Sequence, residues 1–432
     1  MKNSICIRRQ ELLKENLYES VLDCGMSISV IRKKGYTKKY AVVAIDFGSI
    51  DNRFVIDETG EEVELADGIA HFLEHKLFEE EFGSIEDEFA KLGAYTNAFT
   101  NHTMTGYLFS CTDNFEESLK TLLSFVSRPY FTDENVEKEK GIIGQEIMMY
   151  DDDPDWKGFT AFLEAMYHEN PVRIDIAGSI ESISPITKEM LYKCYNSFYQ
   201  PSNLSLFIIG DIEPTETIEF VNEFTNSLLF PTASKVTKIV TAEPKTVKEQ
   251  KKSIKMSVSL PQLYLGYKIN DSYMCEKDIL RTSIISEILM EMFIGKSSTL
   301  YEKLYSDSII DGSFDWQSEV EKKFAFIMVS GRSTDVEELE QRISNGVRAL
   351  IENGIDREDF ERVKKQIMGS AIRGFNSLEY ITYNFLAYKL RGTNLLDRLE
   401  IVHSISADEV EKFAREVMRE ESKVVVTVMP IK

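Results

Sequence analysis

Four shortages bound this 432-residue sequence before any motif is read. No stretch stays apolar long enough to span a membrane. The first twenty residues are charged and mixed (Arg8, Arg9, Glu11, Lys14, Glu15), with no apolar core of signal-peptide length. Cysteine is sparse and scattered. Cys6, Cys24, Cys111, Cys194 and Cys275 form no C-x-x-C pair, which is expected of reduced thiols in a cytoplasmic protein and not of a disulfide framework. Positive charge is short as well: 50 Lys and Arg against 72 Asp and Glu leave a net −22, which argues against a nucleic-acid partner. Histidine is scarce too, with only His71, His75, His102, His168 and His403.

What is present is ordinary globular material, 43% hydrophobic and 28% charged, with length for two to four domains. Two of the five histidines fall in one stretch, residues 67–79, DGIAHFLEHKLFE. Read as a helix, it stacks His71 and His75 on one face and brings Glu74 onto the same face. Two imidazoles and a carboxylate so placed suit a divalent metal, zinc first, and H-x-x-E-H is the inverted form of the zinc-peptidase motif. The competing reading is a solvated face, with Phe72, Leu73 and Leu77 as a buried stripe. A zinc hydrolase needs a third protein ligand and an open position for water. A second helical stretch, 133–150, carries Glu139 and Glu146 seven residues apart and so on one stripe. Glu139 lies in a charged run that reads equally as surface, whereas Glu146 sits among Ile142, Ile143 and Ile147.

These segments resemble the pitrilysin/insulinase zinc peptidases, which include the mitochondrial processing peptidases. Gly68-x-Ala70-His71-Phe72-Leu73-Glu74-His75 with Phe78 matches that family's metal helix, and Glu146 in Gly144-Gln-Glu-Ile matches its distal ligand. Asn97-Ala98-Phe99-Thr100, with Thr105 and Tyr107, matches its substrate-binding edge strand. Pro171, Gly178, Glu181, Ser182, Asn203, Gly210 and Asp211 follow a further family pattern. The resemblance implies one zinc per chain held by His71, His75 and Glu146, with Glu74 as general base. Glu139 would orient a histidine or the water from behind, and an extended peptide would add beside Asn97, Ala98, Phe99 and Thr100.

The organisation expected is α+β, two similar halves that each pack helices on an antiparallel-rich sheet. Strands are expected in 26–48, meeting near Gly35, and at 94–100, 104–111 and 203–209. Asp67 is expected to cap the metal helix, and Asp113 with Glu116 the helix of 113–127. His102, in the turn after the Asn97 strand, is expected to be an exposed turn residue. A polar, lysine-rich run at 229–252 reads as a linker between a catalytic domain, 1–228, and a metal-less pseudo-repeat, 253–432. An offset of 220 supports the repeat: Val43, Ile45 and Phe47 fall on Leu263, Leu265 and Tyr267, and Leu204, Leu206 and Ile208 on Val424, Val426 and Val428.

In the second half the family carries an Arg…Tyr pair after a Ser-rich helix start. Ser297, Ser298, Leu300 and Leu304 fit, but Tyr305 stands in the Arg place and Asp311 in the Tyr place. The resemblance therefore implies a zinc-bearing subunit of a half-length pair, whose zinc-less relative supplies the Arg and Tyr. The reading is a zinc-dependent endopeptidase acting on peptides or leader segments. The alternative is a non-catalytic, chaperone-like metal-binding subunit of a peptide maturation or protein modification complex.

Overall fold

The computed structural model describes residues 4–231, 235–276 and 278–431, and gathers helix and strand into two units around two sheets. The first unit holds residues up to Ile147, Asp175–Ile239 and Gly374–Ala387. Its sheet uses β1 (Cys6–Gln10), β2 (Glu15–Val21), β3 (Ser27–Arg32), β4 (Lys39–Ile45), β5 (Tyr95–Thr100), β6 (Thr105–Cys111) and β7 (Leu204–Gly210), in the order β1-β2-β3-β7-β4-β6-β5. β3 and β4 flank Gly35 but do not pair. β7 lies between them, parallel to β3 and antiparallel to β4.

The centre of this sheet is apolar on both faces, as strands covered on both sides must be. Ala41, Val43 and Ile45 face a core that also takes Ile69, Phe72 and Leu73 of α1 (Ile69–Lys76) and Ile143 and Ile147 of α2 (Asp133–Asp151). At the far end of the order, β5 pairs with β6 alone and leaves one backbone edge open.

The second unit holds Met148–Ile174, Val240–Arg373 and the chain from Tyr388 onward. Its strands, β8 (Lys251–Met256), β9 (Gln262–Lys268), β10 (Asp315–Val320), β11 (Ala325–Arg332) and β12 (Lys423–Pro430), run β8-β12-β9-β11-β10. That repeats β3-β7-β4-β6-β5 down to the single parallel pair at its start. The register corrects the offset slightly. Val43 faces Leu206, while it is Tyr264, not Leu263, that faces Val426, so the first strand corresponds one residue later than expected.

Neither unit is a contiguous half of the chain. α3 (Pro154–Met166), early in the sequence, packs on the second sheet: the Phe162 ring lies 5.7 Å from Phe326. α4 (Leu378–Leu390), late in the sequence, covers the first sheet with Phe385 at 4.6 Å from Phe207. Asp153 caps α3 by accepting from the N–H groups of Asp155 and Trp156. Asp113 does not cap the next helix as expected. Asn114, left-handed at φ 52°, precedes Phe115–Val126 without a side-chain capping bond. Among the described residues no helix is long and apolar enough to cross a membrane.

The run at 229–252 is anchored within each unit. In the first, Val236–Lys238 pairs with Arg53–Ile56, and Lys238 Nζ reaches Asp46 at 2.7 Å and Asp51 at 2.9 Å. In the second, Glu243 accepts from the backbone N–H of His168, Glu169 and Asn170 and from Lys268 Nζ at 2.6 Å. Burial opposes the charge on Glu243, but Lys268 and the three amides outweigh it and hold the carboxyl below its ordinary value. A depressed carboxyl stabilises the fold above its unfolded pKa and loses that effect as pH falls through the folded one. Glu243→Gln should therefore lose about 1–3 kcal/mol at neutral pH. In urea titrations the gap from the wild type should close once the pH drops below the glutamate range.

Candidate active site

α1 is only eight residues long and nearly all of it is buried, so its placement depends on its ends. It is preceded by Gly68 at φ +88°, and a Cβ there would sit 2.4 Å from the Ala177 carbonyl oxygen. Across this contact Gly178, at φ +75°, leaves no room for a Cβ against the Asp67 carbonyl, and Ser182 Oγ donates to the same carbonyl at 2.9 Å. The glycines of two distant motifs are thus one backbone-to-backbone contact that seats the helix. Asp67 is not the cap expected of it: its carboxylate accepts from Asn52 at 2.8 Å, and Gly68 makes no side-chain cap bond.

With α1 so seated, the structure brings His71, His75 and Glu146 together. One ligand atom from each lies within 4.8 Å of the others. His71 Nε2 is 3.8 Å and His75 Nε2 3.6 Å from the Glu146 oxygens. Ligands around a tetrahedral zinc stand about 3.4 Å apart, so the donor set and its spacing both fit that ion. Glu139 lies behind His75, its Oε1 3.1 Å from Nδ1, which leaves Nε2 for the cluster. The other oxygen of Glu139 is 3.5 Å from Lys76 Nζ, a fully buried ammonium that also meets Glu79 at 2.5 Å.

The two imidazoles differ electrostatically. Burial, helped by the charge of His75, pushes His71 down to about 4, so it is neutral and available as a ligand at neutral pH. Burial acts on His75 in the same direction, but the Glu139 hydrogen bond and the charges of Glu74, Glu139 and Glu146 raise it overall. Glu139 is also buried, yet His75 and Lys76 hold its carboxyl below the ordinary value.

Glu74, one residue from His75, is buried, and burial raises its carboxyl despite the opposing Thr100 hydrogen bond and His75 charge. That bond, from Thr100 Oγ1 to Oε2, is 2.6 Å long. Thr100 is the last residue of the open strand β5, which also carries Asn97, Ala98 and Phe99. Asn97 Oδ1 accepts from the Ala98 N–H at 2.9 Å, so a side chain occupies one main-chain donor of the strand. Beside them lies a cavity of about 920 Å³ whose walls include Glu74, His75, Glu139, Asn97, Ala98 and Phe78.

The remaining histidines do not join the group. His102 is buried, not the exposed turn residue expected, and burial lowers it to about 4. Its turn packs on Gly48, and the Ile50 N–H donates to its carbonyl. In the second unit Tyr305 is exposed and stacks near Tyr301, while Asp311 pairs with Arg332 at 3.3 Å. Val363 is buried on the helix Arg357–Gly374. Lys76 and the hydroxyl of Thr100 as a partner of Glu74 escaped the sequence reading. A lysine inside a motif reads as solvated until its neighbours are known, and no spacing rule links 74 to 100.

Residues 58–179 match the family described as Insulinase (Peptidase family M16), and residues 185–367 the one described as Peptidase M16 inactive domain. The uncharacterized zinc protease YmfH of Bacillus subtilis (strain 168) is 41% identical over 422 residues, 97% of this chain and 98% of that protein. The solved structure of an M16-like peptidase from Alicyclobacillus acidocaldarius aligns at a TM-score of 0.91 and 32% identity, covering 100% of this chain and 99% of that one. Pitrilysin is similar in fold alone, at a TM-score of 0.78 and 15% identity, with 99% of this chain matching 46% of it.

The seating contact has a measurable consequence. Gly68→Ala places an L residue in a left-handed conformation, roughly 1–2 kcal/mol, before the clash with Ala177 is counted. Thermal melts should show at least that loss. Gly141→Ala on α2, where a Cβ meets nothing within 4 Å, should be neutral or gain about 0.5–1 kcal/mol.

Proposed function

Because the chain belongs to the insulinase family of M16 peptidases, we propose that it is a zinc-dependent endopeptidase, one subunit of a heterodimer, cleaving peptides or leader segments bound in extended form. The observation that carries this is the gathering of His71, His75 and Glu146 beside a buried Glu74 hydrogen-bonded to an open strand. His71, His75 and Glu146 would hold the zinc, which when bound supplies a Lewis acid that acidifies water and polarises a carbonyl. Glu139 fixes the His75 ring by accepting at Nδ1. A purely structural metal site would have no use for Glu74.

Thr100 occupies Oε2 of Glu74, leaving Oε1 to take the proton of the attacking water. The water oxygen forms the new C–O bond as it gives up that proton, and Glu74 returns the proton to the leaving nitrogen as the peptide C–N bond breaks. The peptide would pair with β5, where Asn97 must first release the Ala98 N–H. The neighbouring cavity would receive its side chains.

The partner is argued from what the second unit lacks. Tyr305 and Asp311 stand where the family carries Arg and Tyr, and the chain matches less than half of pitrilysin. A zinc-less subunit of the same fold would supply both groups.

Metal analysis of the pure protein should find about one zinc per chain, lost in His75→Ala and Glu146→Gln. Glu74→Gln should keep the metal and abolish hydrolysis. Zinc retained in full by His75→Ala would end the ligand assignment.

Loss of one oxyanion donor costs about 2.7–4 kcal/mol, or roughly a hundred- to thousand-fold in rate. The isolated chain should therefore cleave a test peptide that much more slowly than the same chain mixed with its zinc-less relative. Equal rates with and without the relative would show that no second subunit is needed.

A further inference from the structure

We infer that Thr100 is a positioning residue whose hydroxyl fixes the carboxylate of Glu74 and ties it to strand β5. The inference deepens the proposed reading of Glu74 as the base and rests on it. A glutamate carboxylate has a broad terminal torsion, so packing of its stem does not by itself aim the oxygens. The 2.6 Å bond from Thr100 Oγ1 to Oε2 supplies that aim.

The direction of this bond follows from the neighbouring hydroxyl. Thr105 Oγ1, fully buried, donates to the Phe47 carbonyl at 2.9 Å, so its proton is committed. Its oxygen lies 3.4 Å from Thr100 Oγ1 and could only accept. Thr100 has one proton and two acceptors, a neutral hydroxyl at 3.4 Å and a carboxylate at 2.6 Å. The shorter, charged acceptor takes it. Thr105 therefore neither gives its proton to Thr100 nor takes the one that Thr100 carries, and the Thr100 hydroxyl is directed at the base alone.

Strand geometry gives the bond its second property. Side chains alternate along β5, so Thr100 faces α1 while Phe99 points to the opposite face, its ring 5.8 Å from Tyr383 of α4. Thr100 thus touches the base through its side chain while its backbone belongs to the strand proposed to receive substrate. A peptide that orders the strand also orders the hydroxyl that aims Glu74. The effect belongs in turnover, not in peptide affinity.

The test uses the full-length, zinc-loaded protein in the assembly that shows peptidase activity, and compares Thr100→Val with Thr100→Ser. Valine keeps the shape and β-branching and removes the hydroxyl, while serine keeps the hydroxyl. Thr100→Val should lower kcat about 10- to 100-fold, the value of a hydrogen bond to a charged group. KM should stay within about twofold and zinc content should be unchanged. Thr100→Ser should recover most of the rate, and a crystal structure of Thr100→Val should show the Glu74 carboxylate turned from its present position.

An unchanged kcat in Thr100→Val overturns the inference. So does a loss shared equally by serine, or one that follows zinc content, since either marks a merely structural threonine. Hydrolysis retained in Glu74→Gln would overturn the assignment of the base itself. Hydrolysis lost there but kept in Thr100→Val would overturn the role of Thr100 alone.

Discussion

The whole site depends on burying polar and charged side chains along a helix of little more than two turns. His71, Glu74 and Lys76 are buried on α1 together with Ile69, Phe72 and Leu73. Unpaired, a charged group so placed would cost several kcal/mol. Partners on other elements prevent this. Glu139 on α2 lies between His75 and Lys76, Glu146 on the same helix faces both imidazoles, and Thr100 on β5 meets Glu74. The helix is held in place by the groups its own side chains require.

Legibility in the sequence follows the range of the interaction. His71, Glu74 and His75 are visible because helical spacing alone puts them on one face, and Glu139 and Glu146 because seven residues nearly complete two turns. The repeated sheet was legible from apolar strands and one offset, and the edge strand from its resemblance to that of the family. The cap of α1 was misread, because a contact between Gly68 and Ala177 looks like nothing in a linear chain. His102 was misread because turn residues are usually exposed, and this turn packs on Gly48. Thr100 and the link from Lys76 to Glu139 needed the fold: those partners are 26 and 63 positions away.

The two sheets show how one topology serves two ends. Five strands of each share one order with one parallel pair, yet only the first carries a cluster of metal-binding donors among the described residues. The difference lies in single side chains on matching helices. Where α2 offers Glu139 and Glu146, the helix Arg357–Gly374 offers a buried Val363 near the first place and Ser370 near the second. Fold and site are therefore separable, and the second sheet keeps the architecture without the chemistry.

The exchange of α3 and α4 bears on how such a chain can be divided. Phe207 gets its cover from Phe385, and Phe326 from Phe162, each encoded on the far side of the run at 229–252. A fragment ending at that run would contain every metal-binding donor, yet would expose the apolar face of the sheet beneath them and carry α3 with nothing to lie on. The two halves resemble each other as if duplicated, but they can no longer be inherited separately. Gene fission at the apparent linker, or recombination between relatives at that point, would yield pieces that must find each other before either could fold.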